Sequence, residues 1–358
     1  MRSLQIPFKK RVALELFRIY RKNTTKIHEL RYLLWECTLR CNLNCRHCGS
    51  DCKKESFMKD MPLADFLKAI DSISPHIQPN KTTIVITGGE PLLRNDLEEC
   101  GEELYQRGYP WGMVTNGYLL TQTRLHSLLN SGLRSITVSL DGLQESHNWL
   151  RNNPKSFQKA MDAITLLPYI PDLKYDVVTC VYPENVMELE QLKELLIKTG
   201  IQNWRIFTIF PIGRAKDDSY LQLSPAEFKQ VFEFIRETRQ EKRINVSYSC
   251  EGFLGDYEGE VREGFFFCRA GISISSILVD GSISACPDLR DNFIQGNIYK
   301  DDFMTVWNQG FQKYRDRSWT KTDDCATCKS YRYCEGNGLH LRNEKDGKLM
   351  LCHLKMLQ

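Results

Sequence analysis

The chain has no apolar run long enough to cross a membrane as a helix. Its first residues, Met1-Arg-Ser-Leu-Gln-Ile-Pro-Phe-Lys-Lys, lack the apolar core of a secretory signal. A cytoplasmic chain without a transmembrane segment is expected. Charge of one sign is also scarce: 48 basic against 45 acidic residues leave +3, too little for a nucleic-acid footprint, so no nucleic-acid partner is expected. Low-complexity segments and internal repeats are absent, which argues against linkers and solenoids. What is abundant is cysteine. In a reducing compartment, 14 cysteines point to metal ligands before disulfides.

At 358 residues the chain suits one barrel-sized domain with an appendage. From residue 31, short apolar strands alternate with amphipathic helices. Strands are predicted at Leu33–Cys37, Thr83–Thr87, Gly112–Thr115, Ser135–Ser139, Tyr175–Val181 and Arg205–Phe210. Helices are predicted at Leu63–Ile73, Leu97–Arg107, Thr121–Ser131, Ser156–Leu166 and Val186–Thr199. This order predicts an α/β fold, a partial (β/α)6 TIM-like barrel. Polar and glycine residues cluster just after the strands, where parallel β/α folds place active sites. Ser224-Pro225-Ala226-Glu227 reads as an N-cap, an N1 proline and a capping-box glutamate, opening a helix to about Arg239. Four regions follow: a basic amphipathic helix in 1–30, the barrel in 31–220, a connecting helix and strand in 221–262, and a small metal-stapled domain in 263–358. In the first region Phe8, Val12, Leu16, Phe17 and Tyr20 recur near helical spacing among basic residues. That pattern predicts a helix packed over a barrel end with a solvated basic face. Its alternative is a docking surface for an acidic peptide or a membrane.

The densest signal is Cys41-x3-Cys45-x2-Cys48. Three thiols so spaced can reach three irons of one cubane cluster, leaving the fourth iron open to a small chelator. A zinc site is the plain alternative for such a run taken alone. Thr87-Gly88-Gly89-Glu90-Pro91 follows the second strand; alone, it is a tight turn between strand and helix. Together the two motifs resemble the radical SAM superfamily, and His47 stands where that family often has an aromatic residue. The resemblance implies a 4Fe–4S cluster on Cys41, Cys45 and Cys48, with S-adenosylmethionine (SAM) on its open iron. It implies that Gly88, Gly89, Glu90 and Pro91 hold the methionine moiety, Glu90 accepting from the ammonium. Ser139-Leu140-Asp141-Gly142 resembles the family's ribose-contacting segment, with Ser139 and Asp141 on one strand face. Arg151 stands where relatives carry an arginine for the SAM carboxylate, or else forms an ion pair. Thr115-Asn116-Gly117 is a polar wall of the cleft, and Pro211-x-Gly213-Arg214 resembles the segment around adenine.

Toward the C-terminus, Cys268-x12-Gly281-x4-Cys286, Cys325-x2-Cys328-x5-Cys334 and Cys352 resemble the SPASM domain. That domain binds auxiliary Fe–S clusters in radical SAM enzymes that mature peptides and proteins. The pattern has one more cysteine four positions after Cys334, where this chain has Gly338. By analogy Cys325, Cys328, Cys334 and Cys352 hold a distal auxiliary cluster. A proximal site would keep only Cys268 and Cys286, with Cys250 as a further candidate thiolate. At least one auxiliary cluster is expected. Cys37, Cys52, Cys100 and Cys180 are read as small buried hydrophobes. Asp288 is the candidate general base, displaced one position from its place in sulfatase-maturing relatives by Pro287.

The implied function is reductive cleavage of SAM to a 5′-deoxyadenosyl radical that abstracts hydrogen from a peptide or protein, giving an oxidative modification. The resemblance extends to anaerobic sulfatase maturases and to lipoprotein-associated radical SAM maturases. Implied partners are the polypeptide substrate, such as an exported lipoprotein, and a flavodoxin- or ferredoxin-type reductant. The alternatives are chemistry on a small molecule such as a tetrapyrrole side chain, and a non-catalytic Fe–S scaffold or electron carrier.

Overall fold

The computed structural model describes residues 6–56, 58–249 and 251–358, so Cys250 lies outside the described residues. Seven parallel strands alternate with helices through the first two thirds of the chain. They are β1 (Tyr32–Thr38), β2 (Thr83–Gly88), β3 (Trp111–Thr115), β4 (Leu133–Ser139), β5 (Lys174–Val181), β6 (Asn203–Thr208) and β7 (Asn245–Tyr248). The helices are α1 (Phe8–Ile27), α2 (Leu63–Ile73), α3 (Leu97–Gln106), α4 (Gln122–Asn130), α5 (Gln144–Arg151), α6 (Ser156–Ile164), α7 (Pro183–Val186), α8 (Leu189–Lys198) and α9 (Pro225–Glu241).

Strand and helix faces meet in one core. In α2, Phe66, Ala69, Ile70 and Ile73 recur at helical spacing and are buried, and Phe66 stacks on Trp35 of β1 with ring centroids 4.1 Å apart. The predicted capping box opens α9: Ser224 N donates to Glu227 Oε2 at 2.7 Å, and Glu227 N to Ser224 Oγ at 3.4 Å. The sixth strand ends at Thr208 instead of Phe210. Thr208 N is taken by the buried Glu251 carboxylate at 3.1 and 3.2 Å, which stops the ladder there.

Among the described residues a single sheet of ten strands spans both halves of the chain: β10 (Gly296–Asn297), β9 (Ser282–Ser284) and β8 (Ile274–Ile277) lie in that order beside β1, and β2 to β7 follow in sequence on its other side. β8 (Ile274–Ile277) pairs parallel to the outer edge of β1, with Ile277 opposite Trp35. β9 adds antiparallel to β8, and β10 adds antiparallel to β9. A barrel that begins at β1 leaves that strand's outer N–H and C=O groups unpaired. The short Ile-Ser-Ser-Ile strand fills this edge, so the C-terminal unit is built onto the barrel wall.

Helix α1 packs differently from expectation. Leu14 and Arg21 turn inward, while Phe8, Val12, Leu16, Ile19 and Tyr20 face solvent. Its neighbour is the C-terminal unit: Phe17 meets Phe265 edge-on at 5.4 Å, and Arg21 pairs with Glu335 at 2.6 Å. Arg21 also donates to the carbonyls of Arg332 and Tyr333, in the short helix Tyr331–Cys334. The last carbonyls of a helix lack intrahelical donors, so one buried guanidinium capping them fixes which face of α1 turns inward.

Candidate functional site

The cysteine loop leaves the C-terminal end of β1 and is held from several sides. Cys41 N donates to Lys53 O at 2.8 Å, and Arg46 N to Leu150 O at 2.8 Å. The Arg46 guanidinium lies 4.5 Å from the Trp149 ring of α5. The firmest clamp is Arg214, whose Nε donates to Cys45 O at 2.6 Å and whose Nη1 donates to Cys52 O at 3.0 Å and Asp51 Oδ1 at 2.8 Å. Gly213, at φ +56°, lets this segment approach: a Cβ there would stand 2.3 Å from Cys48 O.

Each of the three sulfurs already has a donor aimed at it. Asn116 Nδ2 lies 3.8 Å from Cys41 Sγ, Arg151 Nη1 3.7 Å from Cys45 Sγ, and Cys52 N 3.4 Å from Cys48 Sγ. Burial pushes the Cys41 thiol up to about 12, so its thiolate form calls for the positive charge of bound iron. Cys48 moves the other way, lowered chiefly by the neighbouring Cys52 thiol. The three thiols on one loop, each with a donor placed for a negatively charged sulfur, fit a 4Fe–4S cluster. Cys52, read from sequence as a buried hydrophobe, therefore sits within the cysteine loop's own cluster, whereas Cys37 and Cys100 pack in the main core.

The Gly-Gly-Glu-Pro segment lies against the start of this loop. Gly89 N donates to Thr38 O at 2.8 Å, and Glu90 N to Arg40 O at 2.9 Å. A Cβ on Gly88 would meet Thr38 O at 2.2 Å, and one on Gly89 would meet Arg40 O at 2.2 Å. These two glycines bring two strand ends together. The Glu90 side chain is fully buried and turns toward β3: it accepts from Thr115 Oγ1 at 2.7 Å, Asn116 N at 2.8 Å and Leu92 N at 3.1 Å. Burial raises its pKa against those three donors. Pro91 opens a short 3-10 turn behind it. Asn116 Nδ2, held by Asn42 Oδ1 at 2.8 Å, faces the cysteine loop.

At the end of β4 the structure separates two residues read together from sequence. Ser139 ends the strand with its side chain half-buried. Asp141 is fully buried; its Oδ1 accepts from Cys180 N at 3.0 Å and its Oδ2 from Arg151 Nε. Burial opposes ionisation of Asp141, but Arg151, together with His47 and His147, outweighs it and holds the carboxyl down at about 2. His147 Nδ1 accepts from Asp141 N at 2.9 Å, which fixes the turn between β4 and α5. His47, Asp141 and Cys180 offer a nitrogen, an oxygen and a sulfur within 4.8 Å of one another, but the Arg151 cation already neutralises the carboxylate.

The C-terminal cysteines form two groups. Cys325, Cys328, Cys334 and Cys352 act on one another electrostatically, Cys325 and Cys334 being buried. Arg342 Nη2 lies 3.4 Å from Cys325 Sγ, and Asn337 N 3.1 Å from Cys334 Sγ. These donors fit a second cluster as those around Cys41 fit the first. The other group holds Cys268; burial opposes ionisation of its thiol, but the Arg317 guanidinium, with the backbone of Leu339 and Ala270, brings its pKa below the ordinary value. Tyr314 lies within electrostatic range of both Cys268 and Cys286. Cys286 Sγ is 3.7 Å from Asp288 Oδ2. Asp288 is exposed, beside the pair formed by Arg290 Nη2 and Glu36 Oε2 at 2.7 Å. Arg290 also reaches Ser50 of the cysteine loop at 3.3 Å.

The sequence profile of the radical SAM superfamily matches residues 35–196, and that of the SPASM iron–sulfur cluster-binding domain matches residues 268–329. The chain is a radical SAM enzyme with a SPASM domain, and its cofactors are SAM, the 4Fe–4S cluster and auxiliary Fe–S chemistry. Among curated proteins, the AdoMet-dependent heme synthase of Methanosarcina barkeri is 26% identical over 324 residues, covering 86% of this chain and 90% of that protein. Mycofactocin maturase MftC of Mycolicibacterium smegmatis is 27% identical over 310 residues, covering 85% and 76%. Among solved structures, Streptococcus suis SuiB bound to precursor peptide SuiA has a TM-score of 0.69 at 17% identity, covering 91% of this chain and 75% of that one. The structure of anSMEcpe with bound AdoMet and Cp18Cys peptide has a TM-score of 0.68 at 18% identity, covering 91% and 94%. At these identities the two structures establish the shared fold.

Arg214 anchors the cysteine loop, a contact that its own motif does not reveal. It stood within Pro211-x-Gly213-Arg214, but nothing in that spacing says that its side chain reaches back to Cys45 and Cys52. Among the described residues, no helix is long and apolar enough to cross a membrane.

Proposed function

We propose that this enzyme modifies a peptide or protein substrate. The cluster, when bound, supplies the electron that cleaves SAM to methionine and the 5′-deoxyadenosyl radical. The chain's own part is to place a substrate carbon beside that radical and keep water away. Cys41, Cys45 and Cys48 hold the iron, while Gly88, Gly89, Asn116 and Ser139 line the approach for SAM and Glu90 and Pro91 support the two glycines from behind. Arg151, fixed by Asp141, keeps a positive charge at the inner side of the loop.

The observation that carries the polypeptide reading is the charge between the cysteine loop and the auxiliary domain. Asp280 and Asp288 act on Glu36, Asp288 and Asp291 act on Glu344, and Arg290 is the cation among these carboxylates. This acidic surround suits a neutral or basic polypeptide segment and repels a substrate bearing several carboxylates. The maturase activity named for MftC supports the same reading. In it Asp288, exposed beside Cys286, is the group placed to take a substrate proton.

A second reading is tetrapyrrole side-chain chemistry, favoured by the heme synthase of Methanosarcina barkeri, 90% of whose length aligns with this chain. Anaerobic incubation with SAM, a low-potential reductant and small proteins encoded beside this one decides between them by mass spectrometry. A SAM-dependent mass change on one of these proteins supports the polypeptide reading. Turnover of an iron porphyrin alone, with tight binding seen by absorbance, overturns it.

A further inference from the structure

Gly338 stands where the SPASM pattern carries a cysteine, which leaves Cys268 and Cys286 short of a cluster-binding set. The space is not empty. A Cβ added at Gly338 would come 2.4 Å from the backbone oxygen of Glu251, 2.6 Å from His340 Cε1 and 3.1 Å from His340 Nδ1. The imidazole of His340 thus folds back over residue 338 and, with the Glu251 carbonyl, fills the room that a side chain there would take.

Three further observations join this ring to the two cysteines. Arg317 Nη2 donates to Cys268 O at 3.4 Å and its Nη1 to Asn337 O at 3.0 Å, which ties Cys268 to the segment that carries Gly338 and His340. Asp288, in contact with Cys286 Sγ, lies within electrostatic range of the ring, as does Arg317, which also acts on Cys268. Finally, His340 Nε2 is buried without a hydrogen-bond partner among the described residues. A buried imidazole nitrogen left without a partner is costly unless something occupies it. Phe210, just beyond β6, covers the ring with centroids 4.6 Å apart and so fixes its place at the mouth of the barrel.

We propose that His340 takes the place of the missing cysteine as a ligand of the proximal auxiliary iron–sulfur cluster, together with Cys268 and Cys286. The proposal rests on the SPASM reading of the C-terminal domain. Imidazole ligation of iron–sulfur clusters is established chemistry. A neutral nitrogen in place of a thiolate leaves the cluster less negative and raises its potential.

The test uses the full chain, reconstituted anaerobically with iron and sulfide, with Cys41, Cys45 and Cys48 replaced by alanine to remove the first cluster's signal. The reduced protein is examined by pulsed electron paramagnetic resonance, with and without 15N-histidine, and its iron is counted. The expected result is a strongly coupled nitrogen that changes with the label. His340→Cys should lose this coupling and keep its iron; His340→Ala should lose the coupling and that cluster's iron together. Auxiliary clusters without a coupled nitrogen, or spectra identical in the parent and both variants, would overturn His340 as ligand. A parent that binds no iron after the triple replacement would instead overturn the SPASM reading itself, and this proposal with it.

Discussion

Arg151 Nη1 lies 3.7 Å from Cys45 Sγ, while its Nε is held by the Asp141 carboxylate. One buried guanidinium therefore joins the cysteine loop to the end of β4, and its charge sits beside a sulfur. Fold and cluster environment are coupled at this point.

Replacing Arg151 with Gln should make the first cluster harder to reduce. A donor to sulfur stabilises the more negative, reduced state. A contribution of about 1 kcal/mol corresponds to roughly 40 mV in a one-electron couple. The expected outcome is a midpoint potential lowered by about that amount or more in a redox titration, with the auxiliary potentials unmoved.

Asp141→Asn should act on stability. The substitution leaves Arg151 buried without its counter-charge, a change that costs about 3–5 kcal/mol. Urea unfolding of parent and variant, prepared with the same iron content, should show the loss. Asp141 has a folded pKa held down at about 2, so its contribution is present at neutral pH and is lost as pH falls through that value.

Glu36 gives the opposite dependence. Burial first, with Arg290 opposing, leaves its pKa at about 7. The folded protein then binds a proton that the unfolded chain releases at an ordinary carboxylate pKa of about 4.3. Stability should fall as pH rises between those two values, by on the order of 3 kcal/mol. Glu36→Gln should remove this part of the slope when unfolding midpoints at pH 5 and pH 8 are compared. An unchanged slope would mean that Glu36 is ionised in the fold.

Arg214→Ala should loosen the cysteine loop by leaving the carbonyls of Cys45 and Cys52 without their donor. A lost donor to a buried acceptor costs about 1–3 kcal/mol. The measurement is iron retention after gel filtration, where the variant should lose up to four irons per chain, as in one cubane cluster, and the auxiliary signal should persist.

Much of this architecture is legible in the sequence because its signals are local. The apolar spacing of α2 fixes Leu63–Ile73, and Ser224 with Glu227 marks the start of α9. The cysteine run and the two glycines after β2 are contiguous motifs whose chemistry is tied to spacing. What escaped is non-local. Pairing of Ile274–Ile277 with β1 depends on a free edge formed more than two hundred residues earlier. The inward face of α1 is chosen by carbonyls at Arg332 and Tyr333, so Phe8, Val12 and Leu16 could not be assigned by periodicity. Glu90 and Asp141 lie in recognisable motifs, yet their carboxylates engage backbone and side chains from β3, β5 and α5. His340 carries no motif; only its position over Gly338 draws notice.

The most direct test of the account is 5′-deoxyadenosine released by the anaerobically reconstituted chain given SAM and dithionite. The expected result is formation by the parent and its loss in Cys45→Ala, with auxiliary iron retained by that variant. An intact first cluster that releases no 5′-deoxyadenosine, or release that survives Cys45→Ala unchanged, would contradict it.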